Sequence, residues 1–198
     1  MSGVSVIVDG KTGQAARVNE DGQLSTFSQT VSNSLAASIK GDRYNISGEL
    51  FVTLTDDAPT PVLYIQNNEP ESVGWALTQL VVVAGASAGG TGEYSVSFHS
   101  NPTSGTIITG GIDALIVSQN LGSQKPLEAT AKIGGTGDTI QGGISISRLI
   151  PVNPVVFDLP LDAVIMPPGT SIAIGVNPPL GNTSMIVDVS VGLLRLEA

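Results

Sequence analysis

The 198-residue chain is 41% hydrophobic and only 13% charged, with 24 glycines and 12 prolines, which suits one β-rich domain with many tight corners better than a helical or disordered chain. A domain of this length buries roughly 70% of its extended-chain surface and needs no external staple, and the absence of cysteine removes disulfides, thiolate metal sites and cysteine nucleophiles. Eight basic against seventeen acidic residues give a formal charge of −9 with no Lys/Arg cluster to follow a phosphate backbone, and no apolar run approaches a membrane span; neither nucleic acid nor membrane is an expected partner, and no secretion signal is read at the start.

Residues 1–27 read as an extended arm. Val4, Val6 and Val8 alternate, Asp9-Gly10 signals a turn, Ala15 to Val18 fits a short return strand, and Glu20-Asp21-Gly22 turns again. Strands this short bury little by themselves, so the arm is expected to lie on the main domain or on a neighbouring subunit. Residues 28–48 hold one short helix and a connection: Val31, Leu35 and Ile39 recur every four residues and Gly41 follows as a C-cap.

From 49 to 198 the pattern is strands and turns. Leu50/Val52/Leu54, Leu63/Ile65, a stretch through Trp75, Leu77 and Val81 to Val83, Tyr94/Val96/Phe98, Ile144/Ile146 and Ile172/Ile174/Val176 follow one another between breakers. In the last strand Met185, Val187, Val189, Val191 and Leu193 take one side while Asp188 and Ser190 take the other; the corner Pro178-Pro179-Leu180-Gly181-Asn182 before it denies donors to a ladder. About eight to ten short strands without intervening helices indicate an all-β, jelly-roll-like β-sandwich, whose sheet crossings would use the Gly-rich stretches 85–92 and 134–143; an immunoglobulin-like strand order satisfies the same strand list.

Each motif with a chemical reading also has a plainer one. Gly85-Ala86-Ser87-Ala88-Gly89 matches a nucleophile elbow, but Gly90-Thr91-Gly92 follows where a helix is required. The single histidine, His99, falls on the polar side of the Tyr94 to Phe98 alternation, which predicts a solvent-facing ring outside any cleft. The two GGTG stretches lack the Lys-Ser/Thr of a phosphate loop, and Asp56-Asp57 alone is too few oxygens for calcium. Asn45-Ile46-Ser47 and Asn182-Thr183-Ser184 fit the glycosylation sequon but read as polar turns, while Trp75, Tyr44, Tyr64 and Tyr94 read as core rather than as a sugar platform. No catalytic, cofactor or metal residues are assigned, and no cofactor is expected.

Taken in order, GQAARVNEDGQLSTFS, GDRYNISG, LYIQNNEP, NPTSGTII and LPLDAVIMPPGTSIAIGVNPPLGNTSM resemble virion structural proteins of tailed bacteriophages across most of the chain. The resemblance implies a non-enzymatic capsid decoration (cement) protein. Its implied partners are the major capsid protein and further copies of itself, as a homotrimer. It would be made in the host cytoplasm and located on the virion surface. Val4, Val6, Val8, Arg17, Leu24 and Phe27 then become the expected interface residues. A tail, baseplate or head-fibre component that binds a host receptor or glycan is the competing reading.

Overall fold

The computed structural model describes residues 6–8, 15–18, 24–25, 33–54, 58–84, 94–150, 155–177 and 183–197. By compactness the chain divides into Met1–Asn33 and Ser34–Ala198. The first unit holds β1 (Val6–Val8), β2 (Ala15–Val18) and β3 (Leu24–Ser25) in a three-stranded antiparallel sheet. Its register sets Val6 opposite Arg17, Val8 opposite Ala15 and Val18 opposite Leu24.

Helix α1 (Asn33–Lys40), all but its first residue in the second unit, is ended by Gly41 at φ 76°, a left-handed cap that glycine adopts without Cβ strain. Strands β4 (Arg43–Leu54), β5 (Thr60–Asn67), β6 (Val73–Ala84) and β7 (Tyr94–Ser100) follow. Next come a helix of one turn, α2 (Thr106–Gly110), and the short strands β8 (Ile112–Asp113), β9 (Leu115–Ser118) and β10 (Ala129–Ile133). The chain then runs through β11 (Ile144–Ile150), β12 (Val155–Met166), β13 (Ser171–Asn177) and β14 (Thr183–Glu197).

These strands form a six-stranded sheet, ordered β11-β7-β13-β5-β10-β8, and a five-stranded sheet, ordered β12-β6-β14-β4-β9. The pairings β4 with β14, β5 with β13, β6 with β12 and β7 with β11 are all antiparallel and nest one inside the next. A long hairpin rolled onto itself in this way is the jelly roll, so the fold is an all-β sandwich of that topology rather than an immunoglobulin-like one. The segment β8–β10 is inserted between the two innermost strands. It extends both sheets, because β9 adds to β4 and β10 adds to β5.

The alternation of the strands explains the core. Met185, Val187, Val189, Val191 and Leu193 of β14 are all buried, and they meet Tyr44, Ile46, Val52 and Leu54 of β4, Trp75 and Leu77 of β6, and Leu63, Ile65, Val96 and Ile174 of the opposing sheet. Trp75, Tyr44 and Tyr64 are core residues, as their scarcity suggested.

Two expectations are corrected. The 134–143 stretch does not cross between sheets; it links β10 to β11 at opposite regions of the same sheet, because the β8–β10 insertion has placed its strand there. Asn45 lies within β4, not in a turn, and its side chain accepts a hydrogen bond from Ser190 Oγ at 2.8 Å. Leu35 and Ile39 of α1, the stripe that signalled the helix, are 53% and 65% exposed, whereas Ala37 is the buried residue.

Candidate functional site

Of the expected interface residues, Val6, Val8, Arg17 and Leu24 lie on the small sheet of the first unit, while Val4 and Phe27 lie outside the described residues. Ser87, Asp56, Asp57, the first GGTG stretch and the corner 178–182 also lie outside them.

The richest polar arrangement surrounds the turn between β5 and β6. Asn67 is fully buried; its Nδ2 donates to Met166 O at 2.9 Å and Val73 O at 3.3 Å, and its Oδ1 accepts from Glu69 N at 2.9 Å. The Glu69 carboxylate, only 1% exposed, pairs with Arg195 at 3.0 Å and accepts from Glu128 N at 3.3 Å. Nearby, Tyr44 donates its hydroxyl to Lys125 O at 3.1 Å, and Lys125 forms an ion pair with Asp42. Burial holds the Tyr44 hydroxyl above its usual pKa, against the lowering effect of Arg195 and Lys125. The network fastens segment 119–128 to the strands β4, β5 and β14 through buried, mutually bonded polar groups. Asn67 and Glu69 belong to the stretch LYIQNNEP, so a motif that reads as a turn in sequence is a buried structural knot.

His99 is not turned away from every cleft. Ser97 and His99 share the outer face of β7, and there α2 and the 134–141 loop form a second small core from Tyr64, Ala173, Ile107, Ile108 and Ile140. Ser97 is completely buried, while His99 is half-buried and lines a pocket of about 350 Å³ with Pro59, Thr60, Asp138, Ile140 and Gln141. Ser97 Oγ donates to Gly175 O at 3.3 Å, so it accepts from His99 Nε2 at 3.2 Å, and Nδ1 is left as an acceptor. This polarity is the reverse of a base poised to activate a serine, and a fully buried hydroxyl reaches no substrate. Desolvation pushes the His99 pKa below its ordinary value. The sequence carried no sign of this cover, because α2 is a single turn drawn from Thr106-Ile107-Ile108-Thr109-Gly110.

A second depression, about 510 Å³, lies on the outer face of the five-stranded sheet between Glu49, Asp188, Val81, Val83, Leu115 and Ile133. Among the described residues no group of three or more His, Cys, Asp or Glu could hold a metal ion, and no helix is long and apolar enough to cross a membrane.

The architecture defines the class, an all-β jelly-roll sandwich. No protein-family model and no curated protein matches the chain. Among solved structures it aligns with that of Desmodium yellow mottle tymovirus at 12% identity over 88% of this chain and 95% of that one, with a TM-score of 0.19. It also aligns with the empty head of turnip yellow mosaic virus at 13% identity over 89% and 88%, with a TM-score of 0.20. Overlap this low carries no argument, and the functional reading rests on the chain's own residues.

Proposed function

We propose that the chain is a non-enzymatic virion structural protein of a tailed bacteriophage, a capsid decoration protein that binds the major capsid protein and stabilises the head. The observation that carries the reading is the nested jelly roll together with the ordered stretches from GQAARVNEDGQLSTFS to GNTSM that resemble such proteins. Two further features support it. The first unit consists of strands of two to four residues, too short for an apolar core of their own, which suits an arm that gains its burial against another surface. Leu35, Ile39 and Leu121 are 53%, 65% and 92% exposed, and the 119–122 loop meets α1 where Asn120 Nδ2 donates to Ile39 O; exposed apolar residues here suit a subunit contact.

In this reading the protein is made in the host cytoplasm, assembles as a homotrimer and occupies the capsid surface, with Val4, Val6, Val8, Arg17, Leu24 and Phe27 in its contacts. The test is the solution mass of the full chain and of residues 28–198 by light scattering, with co-sedimentation of both on heads lacking the protein. A trimer that binds heads, and a truncated form that loses one or both properties, supports the proposal. A monomer that fails to bind heads overturns it.

A second reading, a tail, baseplate or head-fibre component that binds a host glycan, is favoured by one observation: the His99 pocket combines Pro59 and Ile140 with the acceptors Asp138, Gln141 and His99 Nδ1. Retention on a glycan array that is lost in His99→Ala would transfer the weight to it.

A further inference from the structure

The outward positions of the five-stranded sheet can be read rung by rung. Glu49 on β4 stands directly opposite Asp188 on β14, and Asp188 is in turn opposite Val83 on β6. One rung further, Phe51 stands opposite Ile186, 72% and 49% exposed. On the other side Ser47 is opposite both Ser190 and Leu115, and Leu115 is 62% exposed. The groove of about 510 Å³ runs through the middle of these rungs, with Val81 and Val83 along it and both carboxylates in its wall.

Like charges directly opposite on antiparallel strands repel, and sheets ordinarily avoid them. Here neither carboxylate has an ion pair among the described residues, while the third acid at the groove, Asp113, is paired with Lys132. The result is an apolar stripe beside two negative charges that no ion pair among the described residues offsets. A second copy does not complement this surface: two-fold pairing would set carboxylates against carboxylates on a chain that already carries −9. A cation between apolar flanks does complement it.

We propose that this groove is a docking site for a protein segment that inserts a lysine or arginine between Glu49 and Asp188 and lays its apolar neighbours on Phe51, Ile186 and Leu115. The attraction comes from bringing a positive charge to two carboxylates at once. The apolar contacts add specificity against a merely basic surface. The site goes beyond the capsid reading, since it defines the chemistry of a partner whatever assembly that partner belongs to.

The experiment uses the full chain and fluorescently labelled synthetic peptides, one alternating lysine with valine, one alternating glutamate with valine, and one alternating lysine with serine, read by anisotropy. The lysine–valine peptide is expected to bind saturably and the other two at least tenfold more weakly. The double variant Glu49→Gln/Asp188→Asn and the single variant Phe51→Ser are each expected to weaken binding of the lysine–valine peptide at least tenfold, whereas Glu71→Gln, at an exposed acid elsewhere, leaves it unchanged. These positions are exposed, so the variants keep the fold, and unchanged melting curves verify that. Absence of saturable binding at millimolar peptide, equal binding by the double variant, or preference for the glutamate–valine peptide overturns the proposal. So does loss of wild-type oligomers in Phe51→Ser, which would make the face a self-contact. Because no heads are present, failure here leaves the head-binding experiment to be judged separately.

Discussion

The guanidinium of Arg195 meets the carboxylate of Glu69 at 3.0 Å across 126 positions of sequence, and the Glu69 side chain is 1% exposed where they meet. Removing one partner of such a buried pair leaves the other charge in a poor solvent, which is costlier than never having made the pair. Glu69→Ala is therefore expected to destabilise the domain by about 3 kcal/mol, with a smaller loss in Glu69→Gln, which keeps an acceptor for Glu128 N. Urea unfolding checks this through the fluorescence of Trp75, the single tryptophan, which is wholly buried in the folded state.

Asn67 offers a sharper test, because its Nδ2 donates to two carbonyl oxygens, Met166 O and Val73 O. Asn67→Asp is isosteric but turns an acceptor onto those acceptors, at an expected cost of about 3 kcal/mol at neutral pH. The buried carboxyl would hold its proton to higher pH in the folded state than in the unfolded chain. The deficit relative to wild type should therefore shrink as pH falls from 7 to 4.5. A deficit that stays constant over that range would mean that the donor role has been misread.

Glycine matters at two positions of the 134–141 loop for different reasons. A Cβ on Gly134 would lie 2.0 Å from Pro61 O, a backbone atom that cannot step aside, whereas Gly137 has open space but φ 84°. Gly134→Ala should cost about 2–3 kcal/mol and Gly137→Ala about 1 kcal/mol. Paired denaturation curves decide the order, and the reverse order would show that the loop is not held against β5.

The lone histidine makes the pH dependence easy to assign. Desolvation lowers the folded pKa of His99 below its ordinary 6.5, so the unfolded chain takes up a proton that the folded state refuses. The stability from this group is complete above about pH 6.5 and falls as pH drops through the folded pKa. Wild type compared with His99→Gln across that window should isolate the loss, and an NMR titration of the imidazole should place its midpoint below 6.5. A midpoint at or above 6.5 would mean that the 137–141 loop does not cover the ring.

The strands were legible wherever one face meets the core, since alternation is all that burial demands: Met185 to Leu193 and Tyr94 to Phe98 read correctly from residue types alone. The pairing of the strands was not legible, because no local pattern records that β4 lies beside β14. The inserted strands escaped notice for a physical reason. Ala129–Ile133 holds Thr130 and Lys132 on its outward side, only Ala131 fully buried and five residues in all. His99 was misjudged because polar residues alternate in the same way whether water or an added loop covers them. The proposed docking groove left almost no signature: Glu49 and Asp188 become neighbours only through the register of two distant strands.

That register also orders events in time. β14 sits in the middle of its sheet, flanked by β4 and β6, and it is the final strand of the nested set to leave the ribosome. Until it arrives, β4 and β6 present two open edges towards each other, and the closing step must join segments more than a hundred residues apart. Folding should therefore be late and cooperative rather than progressive along the chain. A chain halted before Thr183 would be a sandwich with its central slot empty, ready to accept the missing strand from another molecule or to aggregate through the gap.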